Sequence, residues 1–157
     1  MLSRIKDDYD KFIKTKPLGG IGGPVNGDFK NWQVVIPGPI DTPFEGGKFK
    51  VNISFPEDYP DSPPYCKFET KIFHPNINFN TGSICVNFLK KPVNGIRDDK
   101  HTWTNKTHVS IIIVSLYMLL KKPEQGDPLN SNAAYLYNED TPRYEQLVRN
   151  FTKKFAK

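Results

Sequence analysis

The chain has 157 residues, of which 37% are hydrophobic and 25% are charged, and this balance is typical of one globular domain over residues 1–157 rather than of a disordered segment. The formal net charge is +5, but the basic residues are scattered without a run of five or six, which disfavours a nucleic-acid-binding surface. Cys66 and Cys85 have no metal-binding pair spacing and no secretory leader precedes them, so we expect no disulfide framework and a cytoplasmic and/or nuclear location.

The N-terminal segment predicts an amphipathic helix. From Leu2 to Thr15, apolar side chains recur at intervals of three and four residues among charged ones, which is the period of a helix with one buried face. Pro17, Gly19 and Gly20 then end this helix, because they disrupt helical backbone geometry.

Three short strands are expected next. An apolar run from Trp32 to Ile36 ends at Pro37, and apolar and polar side chains alternate from Phe49 to Phe55. A weaker strand covers Tyr65 to Phe68. Because no helical segment lies between these strands to support a parallel crossover, the pattern favours an antiparallel meander.

A loop and then helices are expected over the rest of the chain. Residues 71–107 show neither the helical nor the strand periodicity over a long stretch, and they contain several turn-forming Pro and Gly residues. The apolar face from Val109 to Leu120 has helical spacing and ends before Pro123; it is too short to cross a bilayer, so we expect no membrane partner. Two further helices are predicted, from Asn130 to Tyr137 and from Pro142 to Phe155, and Asp140 and Thr141 introduce the second of them.

Cys85 lies inside the long loop. Reactive groups favour loops that a rigid scaffold holds in place, which is one argument for a catalytic role. A free cysteine is, however, most often a small buried hydrophobe, and the flanking Ile84 and Val86 fit that role. The spacing of residues alone therefore leaves both interpretations open.

The order of residues around Cys85 closely resembles the ubiquitin-conjugating enzyme family. That family carries a His-Pro-Asn tripeptide about nine residues before the cysteine that accepts the protein tag, matched here by His74, Pro75, Asn76 and Cys85. The likeness extends over nearly the whole chain. Its other matching segments are Trp32, Gly38-Pro39 through Thr42-Pro43 to Phe49, Phe55-Pro56, Tyr59-Pro60, Pro63-Pro64, Trp103, Asp127-Pro128-Leu129-Asn130 and Ala133-Ala134.

The resemblance implies the family's fold and its activity. The fold is α+β, with an N-terminal helix, a four-stranded antiparallel meander sheet and C-terminal helices. The activity is acyl transfer, in which the chain accepts ubiquitin from an activating enzyme as a thioester on Cys85 and passes it to a lysine amine or to a ligase. No cofactor and no metal ion are implied, since ATP is consumed by the upstream activating enzyme.

Two further residues are implied as catalytic. Asn76 resembles the family residue that stabilises negative charge on the thioester oxygen, although its amide could equally brace the loop. Asp127 matches the position that lines the approach of the lysine amine, although it could equally cap the following helix. His74 is expected to fix the loop by hydrogen bonds rather than to transfer protons.

The resemblance also implies the partners. These are ubiquitin or a ubiquitin-like protein, an activating enzyme, ubiquitin ligases and protein substrates, with no nucleic acid and no membrane. In the family, a proline-rich surface turn helps to bind ligases. The residues assigned to partner binding in this chain are Arg4, Pro60, Asp61, Pro63 and Lys106.

Several positions depart from the family pattern. Residues 90–102 form a longer segment than in the most compact relatives, and a tolerated insertion and a role in acceptor choice are equally open. Asn87 stands where relatives often carry an acidic residue or Ser, which leaves proton handling there in doubt. Asp61 replaces an aromatic residue of several ligase-binding turns, and Thr104-Asn105-Lys106 replaces Ser-Pro-Ala, which suggests a different ligase preference.

Three other functions are compatible with parts of this pattern. A conjugating enzyme for a ubiquitin-like modifier would keep the fold and change the tag. A noncatalytic variant of the fold normally lacks the acceptor cysteine, so Cys85 disfavours it. A cysteine hydrolase is disfavoured because neither the papain-like cysteine signature nor a recognisable histidine partner motif is present.

Overall fold

The amphipathic N-terminal segment forms helix α1, Leu2–Thr15, as predicted. The computed structural model describes residues 1–91, 102–126 and 128–157. The inner face of α1 buries Ile5 and Phe12, and it also buries the charged side chain of Asp8. Lys16 adopts a left-handed conformation and ends the helix, with its N–H donating to the carbonyl of Phe12.

Four antiparallel strands follow, in the spatial order β1-β2-β3-β4. They are β1 (Ile21–Val25), β2 (Asp28–Pro37), β3 (Lys48–Ser54) and β4 (Tyr65–Phe68). The register aligns Val34 with Val51 and Val51 with Phe68, so buried side chains of neighbouring strands share one face. The predicted meander is confirmed.

Strand β1 carries no alternating apolar pattern, and only the family resemblance implied it. Its glycines explain why it forms nevertheless. A Cβ on Gly22 would lie 2.1 Å from the carbonyl oxygen of Gln33, and one on Gly23 would lie 2.6 Å from the ring of Tyr9. Because side chains at these positions would collide with β2 and α1, glycine allows the edge strand to approach closely.

Three helices complete the chain: α2 (Val109–Lys121), α3 (Ser131–Glu139) and α4 (Thr141–Phe155). Asp140 caps α4 by accepting a hydrogen bond from the Arg143 N–H, as its sequence position predicts. The cap of α3 is Asn130, whose side chain accepts from the Ala133 N–H. Asp127, the other residue considered as a cap for this helix, lies outside the described residues.

The core lies between the inner face of the sheet and the helices. Trp32 of β2 sits at its centre, in edge-to-face contact with Tyr9 of α1 and with Phe55. Helix α2 buries Ile112, Ile113 and Leu116 in the same core. The predicted α+β class is confirmed. Among the described residues, no helix has the length and apolar character needed to cross a membrane.

Candidate active site

Cys85 lies at the end of a loop that is anchored to the edge of the sheet. Within this loop Ile77 pairs with Ile84, and Ser83 pairs with Lys67 of β4. The Cys85 N–H donates to the backbone carbonyl of Asn76 at 3.0 Å, so Cys85 lies next to the His-Pro-Asn tripeptide. The Cys85 side chain is half-buried and therefore partly reachable from solvent.

Gly82 allows this loop to dock closely against β4. Its φ of +78° lies in the left-handed region, and its carbonyl accepts a hydrogen bond from the Phe68 N–H at 2.9 Å. A Cβ at this position would lie 1.9 Å from the carbonyl oxygen of Phe68. Only glycine combines this backbone conformation with this approach, so Gly82 helps to set the position of Cys85 three residues later.

His74 is fully buried, and both of its ring nitrogens have partners. Nδ1 accepts from the Asn76 N–H at 3.0 Å, so Nε2 carries the proton and donates to the carbonyl of Leu119 at 2.9 Å. Burial lowers the pKa of His74 from 6.5 to about 4, because the interior disfavours the charged ring. The expectation that His74 fixes the loop by hydrogen bonds is confirmed.

The side-chain amide of Asn76 joins this loop to the segment after α2. Its Oδ1 accepts from the Glu124 N–H at 2.9 Å, and its Nδ2 donates to the Glu124 carbonyl at 3.1 Å. Asn76 is 3% exposed. The bracing interpretation of this residue therefore has direct geometric support, while stabilisation of a thioester oxygen by Asn76 stays a prediction.

Asp127, the third residue predicted to be catalytic, lies outside the described residues, as do residues 92–101 of the longer segment that precedes Trp103. The chain just after Asp127 is held near the tripeptide. The N–H groups of Leu129 and Asn130 both donate to the Pro75 carbonyl, at 3.0 and 3.2 Å.

A surface cavity of about 350 Å³ opens beside the cysteine loop. Asn87, two residues after Cys85, lines it together with Glu124. The Asn87 N–H donates to Oε2 of Glu124 at 3.4 Å. Sequence reasoning missed Glu124 because it belongs to no motif; the one available signal is a carboxylate shortly after the helix that ends near Pro123.

Cys66 differs from Cys85 in its surroundings. It lies in β4 opposite Ile53 of β3, and burial raises the pKa of its thiol to about 12. A thiol with so high a pKa holds almost no thiolate at neutral pH, and the thiolate is the nucleophilic form. Both cysteine residues are half-buried, and it is at Cys66 that burial of the thiol disfavours this nucleophilic form.

The residues predicted to bind partners lie on segments that the structure joins. Arg4 of α1 donates to the carbonyls of Asn105 and Thr107, in the loop that contains Lys106. Trp103 donates from Nε1 to the carbonyl of Pro60, at 2.8 Å, which ties the same loop to the turn between β3 and β4. The exposed members of this surface are Asp61 and Lys106, while Arg4, Pro60 and Pro63 are half-buried.

Sequence reasoning also missed a buried polar cluster beneath this surface. The Asp8 carboxylate accepts hydrogen bonds from Tyr59 Oη and Arg4 Nε and contacts Nδ1 of His108. Burial and the neighbouring Asp8 raise the pKa of Tyr59, so its hydroxyl stays protonated and donates. A signal was available, because Asp8 falls on the apolar face of α1 between Ile5 and Phe12.

The site consists of a partly exposed cysteine on a loop that is braced by the buried histidine and asparagine of a His-Pro-Asn tripeptide. A family model described as "Ubiquitin-conjugating enzyme" matches residues 4–152. The chain belongs to the ubiquitin-conjugating enzyme family. It is also similar to a solved structure described as a Toxoplasma gondii ubiquitin conjugating enzyme, E2 domain, with 34% sequence identity and a TM-score of 0.84. That match covers 99% of this chain and 98% of the Toxoplasma chain.

Membership in the ubiquitin-conjugating enzyme family makes this protein a transferase of the ubiquitin conjugation pathway. In general, such an enzyme has ubiquitin, an activating enzyme and ligases as partners. Among the described residues, no three His, Cys, Asp or Glu side chains cluster in a way that could hold a metal ion.

Proposed function

We propose that this ubiquitin-conjugating enzyme accepts ubiquitin from an activating enzyme as a thioester on Cys85 and passes it to a lysine amine or to a ligase. The observation that carries the proposal is the placement of Cys85: a half-buried residue at the end of a loop held by Gly82 and Asn76. The competing thiol, Cys66, is held in its protonated form by burial.

The first step is an exchange between two sulfur atoms. The Cys85 thiolate attacks the carbonyl carbon of the thioester on the activating enzyme, and the cysteine of that enzyme leaves as a thiolate. Because the entering and leaving groups are chemically alike, this exchange needs access to the sulfur more than an unusually low thiol pKa. The partial exposure of Cys85 supplies that access.

The second step transfers the tag to an amine. Negative charge develops on the thioester oxygen, and a hydrogen-bond donor positioned beforehand stabilises it. In this proposal Asn76 is that donor: its Nδ2 has two hydrogens, and the Glu124 carbonyl accepts one of them. Asp127 is proposed to line the approach of the amine, as its position in the motif implies.

The proposed ligase-binding surface consists of Arg4, Pro60, Asp61, Pro63 and Lys106. The hydrogen bonds from Arg4 to the loop that contains Lys106 support this grouping. Within it, the exposed Asp61 and Lys106 would touch a ligase directly, and Arg4 would hold the loop in position.

A charging assay tests the proposal. Incubation with ATP, an activating enzyme and ubiquitin should yield an adduct that a thiol reductant removes, with ATP needed only by the activating enzyme. Cys85→Ser should convert this adduct to a thiol-resistant ester, and Cys66→Ser, the matched control, should charge like the wild type. Loss of charging in Cys66→Ser with normal charging of Cys85→Ser would overturn the assignment.

The same assay decides the identity of the tag. An enzyme that charges with a ubiquitin-like protein and its activating enzyme, but not with ubiquitin, would be a conjugating enzyme for that modifier. We also propose a cytoplasmic and/or nuclear location, supported by two free cysteines in the described structure, which a reducing compartment preserves. Fractionation of cells that express the tagged chain tests it.

A further inference from the structure

Glu124 is held beside the cysteine loop at both its backbone and its side chain. Its backbone N–H and carbonyl are paired with the side-chain amide of Asn76, and the backbone carbonyl of Asn76 accepts from the Cys85 N–H. Its carboxylate accepts from the Asn87 N–H through Oε2. The position of Glu124 is therefore fixed relative to the residues on either side of the reactive sulfur.

The carboxylate of Glu124 is also accessible. The residue is half-buried and lines the cavity of about 350 Å³ beside the loop. In the part of the chain that the structure describes, Oε1 has no hydrogen-bond donor. Lys122, exposed on the same cavity, is the other charged group there. Glu124 thus lines a space large enough for the end of a lysine side chain.

Among the residues that the structure describes, the polar groups next to Glu124 are poor proton acceptors. Asn87 and Gln125 carry neutral amides, and the Asn76 amide is paired with backbone groups. His74 is fully buried and uses both ring nitrogens within the fold. Among the described residues that line this cavity, the Glu124 carboxylate is the one acidic group.

We propose that Glu124 is a catalytic residue that accepts a proton from the attacking lysine when the tag leaves Cys85. This inference rests on the proposed function and assigns a further residue to the same site. The lysine ammonium gives one proton to the Glu124 carboxylate, and the neutral amine then attacks the carbonyl carbon of the thioester. As the C–N bond forms, the C–S bond breaks with its electron pair moving to Sγ of Cys85. The second proton passes from the nitrogen to water, and Glu124 returns its own proton to water.

Lysine needs such a group because its ordinary pKa is about 10.4, so nearly all free lysine is protonated at neutral pH. An amine that is already neutral at pH 7, such as hydroxylamine, does not need a proton acceptor before it attacks. A proton-accepting role and a structural role of Glu124 therefore predict different results with these two nucleophiles.

The experiment compares the wild type with Glu124→Gln, which has nearly the same shape and keeps an oxygen for the Asn87 N–H. Each enzyme is charged, purified from the activating enzyme and mixed with lysine or hydroxylamine in a single turnover. We expect equal charging, a roughly 10- to 100-fold slower discharge to lysine at pH 7, and discharge to hydroxylamine within about twofold of the wild type. The lysine deficit should shrink as the pH is raised to about 9, because more of the lysine is then neutral without help.

Glu139→Gln is the matched control, since it removes an exposed carboxylate at the end of α3 and should discharge like the wild type. Lysine discharge by Glu124→Gln at the wild-type rate would overturn the inference, and so would an equal loss with both nucleophiles, which indicates structural damage. A wild-type enzyme that forms no thioester would instead overturn the proposed function, so the two failures are distinguishable.

Discussion

The side-chain amide of Asn76 pairs with both backbone polar groups of Glu124, 48 residues further along the chain. This relationship connects the cysteine loop to the segment that follows α2. The backbone carbonyl of Asn76 also accepts from the Cys85 N–H. Asn76 therefore joins the tripeptide, the cysteine and the segment that contains Glu124.

Asn76→Ala should destabilise the protein and loosen the segment around Glu124. The substitution removes both partners of the Glu124 backbone, and an unsatisfied buried polar group costs about 1–3 kcal/mol. Urea unfolding measures the loss, and hydrogen exchange of the Glu124 amide should become faster. Asn80→Ala, at an exposed position of the same loop, is the control and should change the free energy of unfolding by less than about 0.5 kcal/mol. Equal stability of the two variants would contradict the bracing role.

Gly82→Ala should be much more damaging than Gly27→Ala. The two glycines have nearly the same φ, +78° and +76°, so both substitutions carry the left-handed strain of about 1–2 kcal/mol. Only the Cβ at position 82 also collides with backbone, 1.9 Å from the Phe68 carbonyl oxygen, whereas nothing lies within 4 Å at position 27. Thermal unfolding and the charging of Cys85 are measured for both variants. Similar melting temperatures and charging rates for the two would show that the loop can pack against β4 with a side chain at position 82.

Asp8→Ala should lower the free energy of unfolding by about 3 kcal/mol or more, since removing one member of a buried charged network leaves its partners uncompensated. Asp8 is 0% exposed and contacts Arg4, Tyr59 and His108. Asp10→Ala, on the exposed face of the same helix, is the matched control with an expected change below about 0.5 kcal/mol. Urea titration measures the change. If Asp8→Ala lowers the free energy of unfolding by less than about 1 kcal/mol, the cluster does not stabilise the fold appreciably.

His74 should make the folded state acid-sensitive. Its pKa is about 4 in the folded protein against an ordinary 6.5, so between these values the unfolded chain binds the extra proton. The stability that the neutral ring confers is complete above about pH 6.5 and falls as the pH drops toward 4, by roughly 3 kcal/mol in all. His74→Asn keeps an acceptor for the Asn76 N–H and removes the titration.

Unfolding by urea at pH 7 and pH 4 tests this. The wild type should lose roughly 3 kcal/mol more than His74→Asn over that interval, because other titrating groups are common to both. A difference below about 1 kcal/mol would show that the ring is protonated within the folded protein.

Much of the architecture could be predicted because it follows from local patterns. The helical period of residues 2–15, the alternation of residues 49–55 and the capping sequence at Asp140 each act within a few neighbouring residues. Strand β1 could not be predicted in this way. Gly22 and Gly23 are required by their close contacts with Gln33 and Tyr9, not by a local preference for strand conformation.

The sequence by itself determined the order of the elements other than β1 and, through the His-Pro-Asn tripeptide and Cys85, indicated the family. The tertiary structure alone showed that Glu124 lies beside Asn87 and that Asp8 contacts side chains from three segments. It also showed that Arg4 donates to a backbone carbonyl of the loop that contains Lys106. The reason is physical: side-chain periodicity is a property of the nearest residues, whereas a hydrogen bond between positions 37 to 103 residues apart exists only once packed helices and loops bring the two groups together.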